Sequence, residues 1–383
     1  MREREESYQH SIFLSLLCVP VPLWLVCLFL MTITAVIANY NHAGYLPRCL
    51  SALLAQTRKA DEILVIDDSS TDGSLAVLDD FARRDASIRV IRNERNLGVC
   101  PTFNRGIAEA KGRYCFLGAA DDYTLPTLFE KLSAALAAHP QAGVAFGYDS
   151  HQHGDAGQVI ENPSGWCEKP TYFPPADVAR NLRCNLPGHA MLIDTKDLQA
   201  VGGFRPELRW YSDWFAWLVT AFRRGAVHMP ECLSVRVMLP EAYSVKPKPR
   251  EVHTEVLGNV FDLLRSPAFE DVAGLFRTSG SMSYFGTDVI RATAKREERF
   301  TPDILDFLSG FTQEQYREAA GDEDERVREL AGAFLQPYHC PATDEARQKQ
   351  AELEHAQRRI PPPGVLGKLR WLGRAVKRKV LGI

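Results

Sequence analysis

The sequence predicts an α/β domain, a mostly parallel sheet flanked by helices, followed by a helical C-terminal extension. Two observations lead there. Between residues 32 and 149 short apolar runs alternate with amphipathic stretches at the spacing of βαβ units. Beyond residue 246 the strand-like runs cease and helical periodicity takes over.

Each element can be read in turn. Residues 32–38 (TITAVIA) form a buried strand, and 44–55 carry helical apolar spacing at Tyr45, Leu46, Cys49, Leu50, Leu53 and Leu54. A strand follows at 62–66, then a helix at 74–83 opened by Thr71-Asp72-Gly73. The alternation continues with a strand at 88–91, a helix at 99–110, a strand at 113–117, a helix at 125–139 and a strand at 144–147. Right-handed crossovers place the C-terminal ends of such strands on one edge, where ligands bind. Residues 150–188 read as irregular, rich in Gly, Pro and His; a strand-like stretch at 189–193, a Gly202-Gly203 turn and a helix at 211–223 follow.

Composition narrows the function classes. The 383 residues allow roughly two domains of about 150 residues. With 45% hydrophobic and 24% charged residues the chain is globular, which excludes disorder as its main state. A net charge of −3 excludes a general nucleic-acid binder. The 9 cysteines are widely spaced and include no CxxC or CxxH pair, which argues against a zinc site or a disulfide framework and for a reducing compartment.

Two terminal segments stand apart. Residues 11–31 (SIFLSLLCVPVPLWLVCLFLM) are uncharged and long enough to span a bilayer, yet they run into the strand at 32 without a linker. Three readings stay open for 1–30: a translation start at Met31, a single-pass anchor with a tight junction, or a cleaved signal peptide. The expected organisation is this segment, a catalytic unit at 31–245, a helical region at 246–335, and a linker with a basic tail at 336–383. In the tail, 365–383 carries Lys368, Arg370, Arg374, Lys377, Arg378 and Lys379 and no acid, with Val365, Leu369, Leu372, Val376 and Val380 on one helical face. That pattern suits an interfacial helix on an anionic membrane, or a basic helix docked on an acidic patch.

The chemistry lies in three polar loops at strand ends: Asn39-Tyr40-Asn41-His42, the loop from Asp67-Asp68 to Asp72-Gly73, and Ala119-Ala120-Asp121-Asp122. Adjacent carboxylates at a strand end are costly unless something positive joins them. A divalent cation, Mg²⁺ or Mn²⁺, bound to phosphates meets that need, because such ions use one or two carboxylates plus substrate oxygens. An Asp of the second loop can accept from a nucleobase N–H or a ribose hydroxyl. Asp72 reads as a helix cap.

Residues 32–139 resemble the family 2 glycosyltransferases. The motifs are AVIANYNHAGYLPRCLSALLAQT, ILVIDDSSTDGS, RNERNLGVCPTFNRGIAEAKGRYCFLGAADDYTLP and, later, AVGGFRPELRWYSDWFAWLVTAFRRG. The resemblance implies a GT-A type, Rossmann-like fold and transfer of a sugar from a nucleotide-sugar donor, UDP-linked by expectation, to a saccharide or lipid-linked acceptor. It implies that Ala38, Asn39, Tyr40, Asn41, Asp67 and Asp68 hold base and ribose, with Asn96, Gly98, Asn104 and Arg105 on the nucleotide side. Asp121 and Asp122 match the end of the metal-binding Asp-x-Asp element, with Asp121 also facing the donor, and Asp213 matches the catalytic base before a Trp. Three positions depart from the pattern: Ala38 replaces a Pro, Ala119 the first Asp of the metal element, and Ser212 the Glu before the base. The implied mechanism is an inverting single displacement.

Other residues have weaker claims. His189, Trp210 and Arg236 are candidate acceptor or phosphate contacts, His189 also reading as packed or solvated; His151, His153 and His228 read as surface. A dinucleotide oxidoreductase is excluded because Asn-Tyr-Asn-His-Ala-Gly stands where Gly-x-Gly-x-x-Gly would be needed. A binding module that kept the fold and lost catalysis, motivated by Ala119 and Ser212, is the competing reading. The expected location is the cytoplasm, peripheral at the inner face of the cell membrane.

Overall fold

The computed structural model describes residues 31–335, apart from 155–156, 164, 183–184, 240–247, 297–298, 300 and 309–310. The apolar segment 1–30 and the linker and basic tail at 336–383 lie outside the described residues. Among the described residues no helix is long and apolar enough to cross a membrane.

The first strand, β1 (Ile33–Asn39), sets the layering. Successive strand residues point to opposite faces, so Ile33, Ala35 and Ile37 enter one apolar layer and Val36 the other. Strands β2 (Glu62–Asp67), β3 (Ile88–Arg92) and β4 (Tyr114–Ala119) run parallel to β1 in the order β3-β2-β1-β4. Helices α1 (Leu46–Leu54), α2 (Ser74–Arg84) and α4 (Leu128–Ala138) cover the first face through Leu46, Leu50, Leu53, Leu78 and Leu132. Helix α3 (Val99–Glu109) covers the second through Cys100, Phe103 and Ile107.

Beyond β4 the sheet is mixed. A two-residue β5 (Tyr123–Thr124) lies at its far edge, and β6 (Val144–His153) and β10 (Ala226–Met238) pair in parallel. Between β4 and β6, β9 (Met191–Asp194) runs antiparallel to both. Asp194 caps the next helix, α6 (Thr195–Val201), by accepting from the Lys196 and Asp197 amides. Gly202 then ends α6 with φ +92°, a conformation that costs glycine little.

Two expectations are corrected here, and one strand the sequence did not announce is added. The segment 150–188 is less irregular than its composition indicates: it holds the end of β6, β7 (Val159–Glu161), β8 (Thr171–Phe173) and α5 (Pro175–Asn181). The long β10 is legible only in hindsight, because Pro230 and register shifts between His228 and Ser234 break its alternation. His228 is fully buried in β10 rather than on the surface, and burial pushes its imidazole down to about 4. Its Nδ1 lies 2.9 Å from the Cys167 Sγ.

Helix α7 (Ser212–Arg224) joins the sheet to the C-terminal region. Its Trp214, Phe215 and Phe222 share one apolar cluster with Leu257, Val260 and Phe261 of α8 (Arg250–Leu264), Phe276 of α9 (Glu270–Ser279) and Ile290 of α10 (Thr287–Ala294). The same cluster reaches α11 (Pro302–Leu308), α12 (Gln313–Ala319) and α13 (Glu325–Leu335) through Leu305, Tyr316 and Leu330. Each large side chain so buried is worth about 1.5–3 kcal/mol relative to exposure, so the helical region is bonded to α7 by its core.

Candidate active site

Strand register builds the site. Asn39 lies opposite Asp67 across the parallel β1–β2 pair, and Ala38 lies opposite Ala119 across β1–β4. The three polar loops therefore leave the sheet at one rim. The Asn39 Nδ2 donates to the Asp67 Oδ1 at 2.8 Å and to the Ser70 Oγ at 3.1 Å. Asp67 also receives the Ser70 amide at 3.0 Å and hydroxyl at 2.6 Å. Asn41, in the left-handed region at φ 56°, accepts the Thr71 amide at 2.8 Å and stitches the first loop to the second. The Asn39 Oδ1 is buried with no partner among the described residues, an acceptor at the rim of the kind a base or ribose donor satisfies. Tyr40 stands out beside it, 45% exposed.

Asp68 and Asn104, both assigned to the nucleotide by resemblance, are spent on the protein itself. Asp68 accepts the Asn93 Nδ2 and the Leu97 and Gly98 amides, each at 2.8 Å. It thereby pins the turn into α3, where Gly98 takes φ +88°. Asn104 clamps the backbone of one residue, Phe204, on both sides of its Cα: its Oδ1 accepts the Phe204 amide and its Nδ2 donates to the Phe204 carbonyl, both at 2.7 Å.

The third loop is electrostatically loaded. Burial, then repulsion from Asp122, pushes the Asp121 carboxyl above its usual range, against the charges of His42 and His189. Asp122 accepts the Val237 amide of β10 at 2.7 Å through Oδ1, and its Oδ2 lies 2.8 Å from the His189 Nδ1. Burial alone would lower the His189 imidazole, but the Asp122 charge outweighs it and raises it. Because β9 runs against β4, the residues just before β9 arrive at the same rim as the ends of β1, β2 and β4. Ala119, Asp122, Tyr123, His189 and Ser234 line one small cleft there.

Asp213 lies in the first turn of α7, half-buried, and its Oδ1 accepts the Trp214 amide at 2.6 Å. Burial pushes its carboxyl up, while the Trp214 amide, His189 and Arg236 act the other way. Asp213 therefore shares its surroundings with His189 and Arg236. Arg236 is 3.4 Å from the buried Asp149, a partner that composition and spacing did not single out. Arg48 was also missed: its guanidinium sits 4.7 Å over the Tyr123 ring and donates to the Asp121 carbonyl at 3.3 Å. Trp210 packs against Tyr211 and His253, with the Lys248 ammonium 5.3 Å above its ring.

The donor set suits a hard divalent cation. Asp121 and Asp122 offer oxygens at one rim, and the raised Asp121 is a group whose charge a cation would restore. The Oδ1 of Asp122 is committed to Val237, so Asp121 and the Asp122 Oδ2, now beside His189, are the oxygens on offer. Among the described residues no three His, Cys, Asp or Glu side chains cluster into a cage, which leaves the remaining positions to phosphate and water oxygens.

Residues 34–201 match the family model described as glycosyl transferase family 2. These residues are a family 2 glycosyltransferase domain. Glycosyltransferase GlyG of Streptococcus pneumoniae serotype 4 is 36% identical over 100 residues, 26% of this chain and 33% of that relative. The cholesterol galactosyltransferase of Borreliella burgdorferi is 31% identical over 100 residues, 26% of this chain and 28% of that one. The chain thus spans about a third of the length of the curated relatives it matches. S. aureus TarS 1–349, solved in complex with UDP-GlcNAc, superposes with a TM-score of 0.56 at 14% identity, covering 92% of each chain. At that identity the likeness concerns the fold, which is of GT-A type. The glycosyltransferase match ends at Val201, so Asp213, Arg236 and the helical region lie beyond it.

Proposed function

We propose that this chain transfers a sugar from a nucleotide-diphosphate sugar, UDP-linked, to a hydroxyl of a glycan or lipid-linked saccharide. The observation that carries the reading is the shared rim. Asn39 and Asp67 supply the nucleotide side, Asp121 and Asp122 the phosphate side, and Asp213 is near enough to His189, which lines the cleft, and to Arg236 to feel their charges. TarS binding UDP and UDP-GlcNAc supports the choice of nucleotide.

In this reading Asp121 and Asp122 hold Mg²⁺ or Mn²⁺, which when bound offsets the charge of the departing diphosphate. The chain's own groups do the rest. Ala38, Tyr40 and Asn41 frame the base beside Asn39 and Asp67, while Asp68 and Asn104 shape the nucleotide side from behind. Asp213 takes the proton of the attacking hydroxyl, a role that a carboxyl raised towards the working pH performs well. His189 and Arg236 place positive charge opposite the carboxylates, where the leaving group's charge grows. Attack from the face opposite the diphosphate inverts the anomeric centre. Trp210 offers a ring on which an acceptor sugar can stack. The unit carrying this chemistry is 31–245, supported by 246–335. The acid-free basic tail at 365–383 supports a peripheral place at the cytoplasmic face of an anionic membrane.

The test is a panel of UDP-, dTDP- and GDP-sugars assayed for nucleotide release and transfer with Mn²⁺ present. Turnover of a UDP-sugar is expected. No turnover, together with no metal-dependent nucleotide binding, would make the chain an inert GT-A module.

A further inference from the structure

The segment just before the base is under constraint. Arg209 is exposed and takes φ 48°, ψ −116°, a conformation that non-glycine residues rarely adopt. Strain of that kind persists only where the surroundings hold the backbone. The Arg209 carbonyl itself accepts from the Cys100 Sγ of α3 at 3.4 Å, and on either side of it the holding groups come from the helical region. The Asn259 Nδ2 of α8 donates to the Glu207 carbonyl at 3.0 Å, before the strained residue. After it, the Tyr211 Oη lies 2.5 Å from the Nε2 of His253, also on α8. The other ring nitrogen of His253, Nδ1, lies 3.1 Å from the Asp288 Oδ2 of α10. Asp288 is fixed in turn by Arg291 at 2.5 Å, and Arg291 by the buried Asp322, which also meets Arg250 at 3.3 Å.

Burial pushes the Tyr211 phenol up to about 12, so it stays protonated within hydrogen-bond distance of the His253 Nε2. On the other side of the ring, Nδ1–H donates to the Asp288 carboxylate. Tyr211 is the N-cap residue of α7, two residues ahead of Asp213, and its ring packs 4.4 Å from Phe285, which also touches Trp214 at 5.3 Å. The line of contacts thus ends on the turn that aims the carboxylate.

We propose that His253, oriented by Asp288, is a positioning residue that sets Asp213 for catalysis by holding the Tyr211 hydroxyl. The inference rests on the reading of Asp213 as base. It assigns a role in the reaction to the helical region beyond the family match.

The test uses the full chain and the variants Tyr211→Phe, His253→Phe, His253→Gln and Asp213→Asn, with kcat and KM for transfer, the UDP dissociation constant and Tm measured for each. Losing one hydrogen bond of about 1–1.5 kcal/mol from the turn corresponds to a fall in kcat of roughly five- to tenfold. Tyr211→Phe and His253→Phe should each show it, with KM for the donor and UDP affinity unchanged. The double variant should be no worse than either single one, since both remove one contact. His253→Gln, which keeps an acceptor and a donor, should recover most of the rate. Wild-type kcat in Tyr211→Phe and His253→Phe overturns the proposal. So does a fall in Tm and UDP affinity alongside kcat with no recovery by Gln, because that is the mark of a merely structural contact. Full activity in Asp213→Asn instead removes the base assignment, whatever the His253 variants do.

Discussion

Replacing Asn104 by Ala separates a nucleotide contact from a backbone clamp. The side chain makes two hydrogen bonds to the backbone of a single residue, both at 2.7 Å, and the Phe204 they hold is buried and packs 5.2 Å from Phe103. The fit is close: a Cβ at Gly203, where φ is +64°, would lie 2.4 Å from the Asn104 Oδ1. Truncation removes both bonds and strands a donor and an acceptor in a partly dry place, at about 1–2 kcal/mol each. The expected loss is therefore roughly 2–4 kcal/mol. An unfolding entropy of about 2.1 cal/mol/K per residue over roughly 300 ordered residues is about 0.6 kcal/mol/K, so Tm should fall by about 3–6 °C. UDP affinity, measured by calorimetry well below that Tm, should be unchanged. Asn104→Asp keeps the acceptor and loses the donor, so it should fall between the two. An unshifted Tm with UDP binding abolished would show that Asn104 faces the ligand and that the clamp contributes nothing.

Three further outcomes are expected. Asp213→Asn should abolish transfer, leave nucleotide binding intact and raise Tm slightly at neutral pH. Its raised folded pKa means that the folded state holds the proton more tightly than the unfolded chain, so stability falls as pH rises from about 3.9 through the raised value, and Asn removes that loss; for the same reason wild-type kcat should decline as pH drops through it. Asp122→Ala should weaken Mn²⁺-dependent UDP binding while metal-free binding changes little, and identical affinities would place the cation elsewhere. At Asp322, burial would raise the carboxyl but the Asp324 backbone amide and Arg291 hold it low, so its contribution is present at neutral pH and lost as pH falls below about 3.9. Asp322→Asn should cost about 3–5 kcal/mol by chemical denaturation at neutral pH, with a smaller difference in acid; equal curves at both would exclude the ion pair as a stabilising element.

What could be read from the sequence divides along physical lines. Strands β1 to β4 and helices α1 to α4 were legible because apolar periodicity and turn residues agree there, and parallel register then carried Asn39, Asp67 and Asp121 to one rim. The β10 strand was not, because Pro230 and its bulges hide a period of two. The identity of a polar residue at the rim is visible in the sequence, but the direction of its hydrogen bonds is not. Asp67 and Asp68 are neighbours of the same chemistry, yet one turns to the Asn39 loop and the other to the turn at Leu97 and Gly98. The pairings of Asp149 with Arg236 and of His253 with Tyr211 join residues far apart in the chain, so no local pattern announces them.

The reversed strand β9 has a consequence for how this molecule tolerates change in length. The other rim loops begin where a strand ends, so residues inserted in them bulge outward into solvent. His189 is reached from the opposite direction, by a short 3₁₀ turn that feeds straight into β9. Adding or removing a residue there would shift the imidazole along the sheet by one strand step, about 3.3 Å. The turn at Gly188–Ala190 thus acts as a ruler for where His189 meets the rim.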